Sequence, residues 1–344
     1  MKKLITLLLI APVLVFALIV ASCTKEGPQG PKGEDGIDGA NGVATCGQCH
    51  NNSQILTAAI NQWEHSTHAT GGNYERNSGE CAVCHTSQGF LGFNIDGTYD
   101  PEAEGASIAN PNPINCYTCH QIHSTYTGDD LAFTLTDAAE LRNTDGATFD
   151  FGKANLCATC HQGRTVDPFP VEGGADITVT SSRYGVHHAP QANTIAGMGL
   201  FEPGSGYNNH AHSGIENACV TCHMADAYGA QAGGHTMNIA YEYHGATELN
   251  LAGCMECHSD EDALIENTEE LQAEVQALLD ELKVLLDAAG ITAEGSDSSI
   301  PGTYSVEVAG ACLNYKALVE DRSLGVHNPT YIKRVLNNSI AALQ

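Results

Sequence analysis

Regular apolar spacing is concentrated at the two ends of the chain. Leu4 to Val20 is an uncharged apolar run behind the basic start Met1-Lys2-Lys3, and it ends at Val20-Ala21-Ser22-Cys23. The run is shorter than the about 20 residues a membrane span needs. A basic start, an apolar run, small residues and then Cys predict a lipoprotein signal peptide over 1–22 with lipidation of Cys23. Near the other end, Leu264, Leu271, Val275, Leu278, Leu282 and Leu285 follow a helical period. They predict an amphipathic helix from about Thr268 to Ala289, opened by a capping box of Asn267 and Glu270. The stripe spans only about three heptads, so it is read as a packing face rather than a dimer seam. A second helix is expected from about Val308 to Asp321 and holds Cys312. A third is expected from about Pro329 to Ala342, with Asn328 and Pro329 at its start. Between the two ends no long period survives. That middle reads as coil with short helices and one short strand near Ile177 to Ser181, so the fold class is mainly α with extensive coil.

Gly27, Gly30, Gly33, Gly36, Gly39 and Gly42 recur every third residue, with Pro28 and Pro31 among them. This is a collagen-like Gly-X-Y run. So few triplets suit an extended tether better than a triple helix. The expected organisation is a signal peptide over 1–22, a lipidated Cys and tether over 23–44, a ligand-binding domain over 45–262, and a helical part over 263–344 packed on it.

Composition changes the picture of the middle. The 344 residues include 14 Cys and 16 His, but one Trp and eight Phe, and carry a formal charge of -27. Such a charge excludes nucleic acid and anionic lipid headgroups as partners. The poverty of aromatics predicts that something other than side chains fills the interior.

The cysteines say what. They form the pairs Cys46/Cys49, Cys81/Cys84, Cys116/Cys119, Cys157/Cys160, Cys219/Cys222 and Cys254/Cys257. A histidine follows each pair at once: His50, His85, His120, His161, His223 and His258. At the background frequency of His, six such successes have a chance of about one in 10⁸, and C-x-x-C-H is the c-type haem attachment signature. Two thiols add across the vinyl groups of one haem, and the next residue sets an imidazole under its iron. Zinc sites and disulfide scaffolds have no use for a His after every pair. The sequence therefore predicts six covalently bound haem c groups.

Ten further histidines are available as sixth ligands: His65, His68, His123, His187, His188, His210, His212, His235, His244 and His327. His123 is too close to His120 to share its iron and can serve a neighbouring haem. His188 is preferred to the adjacent His187. His68, in Trp63-Glu64-His65-Ser66-Thr67-His68-Ala69, resembles the W-x-x-S-x-H-A element of multihaem cytochromes c. His212, seven residues before Cys219, His235 in Gly233-Gly234-His235, and His327 in Gly325-Val326-His327-Asn328-Pro329 are similar to distal-ligand segments of that family. The region from Cys46 to Gln344 thus resembles a multihaem cytochrome c. The resemblance implies a fold organised around the haems and sixth ligands at His68, His212, His235 and His327; local spacing adds His123 and His188 to that set. The helical ending resembles the pentahaem nitrite reductases, but the C-x-x-C-K motif of their catalytic haem is absent from this sequence.

Two functions follow as expectations. Six bis-His haems would make an electron relay, lipid-anchored in the cell envelope, with Thr24 after Cys23 resembling an outer-membrane sorting signal. The expected partners are redox proteins or an extracellular acceptor. The alternative is a reductase of small nitrogen or sulfur oxyanions with one five-coordinate haem, for which Arg164 and Arg183-Tyr184 are the suggestive cation-bearing positions.

Overall fold

The structure is a computed structural model that describes residue 50, residues 54–187 and residues 189–344. The signal peptide, Cys23, the tether, Cys46, Cys49 and His188 lie outside the described residues. Contacts divide the chain into residues 1–44 and residues 45–344. Everything below concerns the second unit.

Short helices carry the middle of the chain. They are α1 (Gln54–Glu64), α2 (Thr67–Thr70), α3 (Gly79–His85), α4 (Ser87–Asn94), α5 (Cys116–Cys119), α6 (Asn155–Ala158), α7 (Gln191–Ala196) and α8 (Ala218–His223). Three long helices end it: α9 (Glu261–Ala288), α10 (Val306–Asp321) and α11 (Pro329–Leu343). The described strands form three two-stranded antiparallel sheets. The predicted strand at Ile177 is present as Ile177–Val179 and pairs with Gly302–Tyr304, a partner far away in sequence. No described helix is long and apolar enough to cross a membrane.

Helix α9 begins seven residues earlier than the apolar stripe suggests. Asp260 is its N-cap, with the carboxylate accepting from the Ala263 amide at 3.1 Å. Glu261 and Asp262 then sit in the first turn, where the helix dipole favours acid. Asn267 and Glu270 lie inside the helix and form no cap. The other two starts fall close to expectation. Ser305 caps α10, and Asn328 caps α11 with Pro329 in its first turn.

Helix α10 is buried on nearly every side, from Ala309 through Leu318, because it lies between α9 and α11 and against residues 177–201. One close approach is specific. A Cβ at Gly310 would meet the Phe201 ring at 2.2 Å, so only glycine admits the ring there. Asn314 fixes the same segment. Its amide accepts from the Phe201 backbone N–H at 2.8 Å and donates to the Phe201 carbonyl at 2.7 Å and to Ser339 at 2.9 Å. Cys312 is fully buried here, as a small apolar side chain would be. Leu282 is 0% exposed at the centre of this core. Leu282→Ala is expected to cost about 2–5 kcal/mol, read as a lower unfolding midpoint with an unchanged visible spectrum.

Before residue 139 the contrast is sharp. Among the described residues the buried hydrophobic ones there are Ala82, Val83 and Phe90. A second small core uses Leu141, Phe149 and Ile195 with six alanines. Side chains alone do not fill this half of the unit.

Candidate haem site

Each described C-x-x-C-H motif forms about one helical turn. Residues three and four apart share a helix face, so this turn sets both thiols and the following imidazole on one side. The His120, His161 and His258 amides close the turn onto the carbonyls of Cys116, Cys157 and Cys254 at 2.8, 2.8 and 2.9 Å. His85 and His223 end α3 and α8. None of the described motif cysteines is in a disulfide. Neighbouring motifs approach one another: the Cys84 thiol lies beside that of Cys160, and the Cys157 thiol beside that of Cys219. The Cys84 thiol is brought down to about 7, first by its bond to Cys160, against burial that raises it.

All these residues line one continuous cavity of about 2710 Å³. That is several times the about 300–1,000 Å³ of an ordinary ligand pocket. His68, His123, His187, His210, His212, His235 and His327 also line it. His65 and His244 do not. His65 Nδ1 sits 2.7 Å from the Asn61 carbonyl, and His244 packs edge-on against Tyr243.

The imidazoles meet in pairs. Ring centres are 6.1 Å apart for His50 and His123, 6.0 Å for His68 and His161, and 6.3 Å for His120 and His235. They are 6.4 Å apart for His212 and His258 and for His223 and His327. A metal–imidazole bond is about 2.0–2.1 Å and the ring centre lies about 1.1 Å further on, so two imidazoles on opposite sides of one iron sit about 6.3 Å apart. Every pair joins one motif histidine to one histidine from a distant segment. Among the described residues no group of three or more His, Cys, Asp or Glu could hold a metal by itself. Facing pairs without such clusters fit an iron whose other four ligands come from a porphyrin, and they do not fit zinc.

Local structure explains how the non-motif imidazoles are presented. Trp63 donates to the Ile114 carbonyl at 3.0 Å and anchors the end of α1. Ser66 then caps α2 through the Ala69 amide, which projects His68. His123 stacks on Tyr126 at 5.5 Å and meets Tyr117 edge-on. Gln62 accepts from the His235 amide at 3.0 Å. His210 contacts His212 at 4.7 Å rather than a motif histidine. His187 lies in the left-handed region at φ 59°.

Burial sets the charge of these rings. It drives His68 down to about 4, helped by His161 alongside, and it also lowers His161, His223 and His235. They are held neutral, the form that binds metal. Several of the imidazoles in the cavity have an outer nitrogen oriented by a backbone carbonyl. His120 Nδ1 faces the Leu131 carbonyl at 2.7 Å, His212 the Val326 carbonyl at 2.7 Å, and His223 the Met237 carbonyl at 2.9 Å. His327 differs, because its Nδ1 faces the Asp321 carboxylate at 2.8 Å. Burial works against charge on both groups, yet their mutual attraction wins, raising His327 and lowering Asp321. Sequence reasoning did not find Asp321, since nothing marks an Asp six residues before a ligand. Of the suggested cations, Arg164 lines the cavity and pairs with Glu80 at 3.2 Å, an exposed contact worth little. Arg183 lies outside the cavity lining, and Tyr184 belongs to the helical core.

This fold and this donor set define a protein that carries haem c on repeated C-x-x-C-H turns. No protein-family model matches the chain. The C-type polyhaem cytochromes OmcB of two Geobacter sulfurreducens strains, DL-1 / KN400 and PCA, are 24% identical to it over 364 residues, an alignment covering 83% of this chain and 47% of theirs. The chain therefore spans about half the length of the curated relatives it matches. The crystal structure of the outer cell wall cytochrome OcwA shares the fold, with a TM-score of 0.53 at 22% identity over 83% of this chain and 50% of that one. In sequence and in fold the chain is therefore similar to multihaem cytochromes c.

Proposed function

We propose that the chain is a hexahaem electron relay, exported and held at the cell envelope by lipid on Cys23. The observation that carries this reading is the set of five imidazole pairs spaced 6.0–6.4 Å inside one cavity. Cys46/Cys49, Cys81/Cys84, Cys116/Cys119, Cys157/Cys160, Cys219/Cys222 and Cys254/Cys257 would hold the six groups by thioethers. His50 is assigned His123 as its opposite ligand, His161 takes His68, and His120 takes His235. His258 takes His212 and His223 takes His327. His188, the one predicted sixth ligand not yet placed, is left for His85. Haem c so held supplies one-electron redox chemistry, and two protein ligands leave no position for a substrate.

The protein's own part is spatial and electrostatic. Contacts between motif thiols place neighbouring sites side by side, so a charge entering at one can leave at another. The acidic surface favours basic redox partners and disfavours anionic substrates. The names of OmcB and OcwA, a polyhaem cytochrome and a cytochrome of the outer cell wall, support a role at the envelope with a redox protein or an extracellular acceptor as partner.

Mass spectrometry and magnetic spectroscopy of the oxidised, mature protein test the reading together. Six haem masses on one chain, a lipidated Cys23 and only low-spin iron are expected. A high-spin signal amounting to one haem of the set would overturn the relay and support an oxyanion reductase.

A further inference from the structure

Asp321 is 3% exposed at the end of α10, yet it is surrounded for a charge. Its Oδ1 accepts from His327 Nδ1 at 2.8 Å and from the Thr194 hydroxyl at 2.5 Å. Its Oδ2 accepts from the Ser323 hydroxyl and the Ser323 amide. Among the described residues no lysine or arginine forms an ion pair with it. Burying a carboxylate without a full cationic partner costs several kcal/mol. If the task were only to orient an imidazole, a neutral acceptor would serve, as backbone carbonyls do for His120, His212 and His223. A carboxylate does something a carbonyl does not. It draws the Nδ1 proton and leaves more electron density on the other nitrogen, which strengthens that nitrogen as a donor to a cation.

We propose that Asp321 is a positioning residue that makes His327 a strong donor and thereby lowers the reduction potential of the haem held between His223 and His327. The inference rests on the paired-ligand reading above. It singles out one site, because a more basic ligand stabilises ferric over ferrous iron. The same turn reaches a second site. Gln191 donates to the backbone carbonyls of Glu320 and Asp321 at 3.2 and 3.3 Å, and its amide oxygen lies 3.4 Å from His161 Nδ1. The turn at residues 320–323 is therefore placed between the fourth and fifth motifs.

The test is a potentiometric titration of the full haem-loaded protein, with magnetic spectra at each stage. Asp321→Asn keeps the shape and an acceptor but removes the charge, so one transition is expected at higher potential with the rest unmoved. Ser323→Ala removes a donor that withdraws density from the carboxylate, so the same transition is expected at lower potential. Opposite shifts at one haem do not arise from a loss of packing. In a His327→Met background, Asp321→Asn is expected to add no shift. An Asp321→Asn protein whose transitions stay unmoved, or all move alike, overturns the proposal. If Asp321→Asn fails to fold, Ser323→Ala decides alone, and an unmoved or raised transition overturns it. If His327→Ala leaves every haem low-spin, the ligand assignment itself is what fails.

Discussion

Produced without haem attachment, the chain is expected to lose ordered structure over most of residues 54–160 and 203–260 while its helical end stays folded. The motifs line a cavity of about 2710 Å³, and residual cavity volume costs about 24 cal/mol per Å³. Even a tenth of that volume left open would cost on the order of 6 kcal/mol, comparable with the whole stability of a typical domain. Water does not rescue the site, because Val83, Phe90, Leu156, Ile195, Ile239 and Leu251 stand on its wall. The side-chain core of this region is thin, resting on Ala82, Val83, Phe90 and an alanine-rich cluster. The main core lies elsewhere, joining residues 166–201 to α9, α10 and α11. Limited proteolysis followed by mass spectrometry checks this. Fragments containing residues 166–201 and 275–340 should persist from the haem-free protein, and the haem-loaded protein should resist throughout. Uniform protection of the haem-free chain would mean that the interior packs without the cofactor.

That division also explains what the sequence makes legible. The C-x-x-C-H motif is five consecutive residues whose chemistry is complete within one helical turn, so it can be read without knowing the fold. The same holds for the stripe from Leu264 to Leu285, which becomes a helix face, and for Asn328-Pro329, which becomes a helix start. What remained hidden is non-local. His123 sits three residues after His120, yet it faces His50, while His120 faces His235. No local rule assigns those partners, because the chain crosses between sites before it returns. The start of α9 was missed for a related reason. Residues 261–263 add no apolar stripe, and the turn is stabilised by the Asp260 cap and by acid near the helix N-terminus. Asp321 was invisible because its role is set by Thr194, Ser323 and His327, which meet only in the folded chain.

Removing one crossing partner should expose a single site. His235→Ala is expected to turn about one haem in six high-spin in the oxidised protein and to let that haem bind carbon monoxide when reduced. His235 is a suitable position because a backbone contact fixes its segment: its amide donates to Gln62 while its ring faces His120 at 6.3 Å. The adjoining turn is tied independently, with the Thr236 hydroxyl donating to the Gly233 carbonyl at 2.7 Å. The loop should therefore keep its course when the imidazole goes. Magnetic spectroscopy and a carbon monoxide titration read the result, and an entirely low-spin spectrum would remove His235 from the ligand set. The variant also separates having an open site from being a reductase. An open iron is necessary for oxyanion reduction, but the chain around it still carries a large excess of acid over base, which disfavours anionic substrate. His235→Ala is accordingly expected to bind a neutral diatomic ligand and to show no turnover of nitrite or sulfite above that of the unaltered protein, measured under the same reductant.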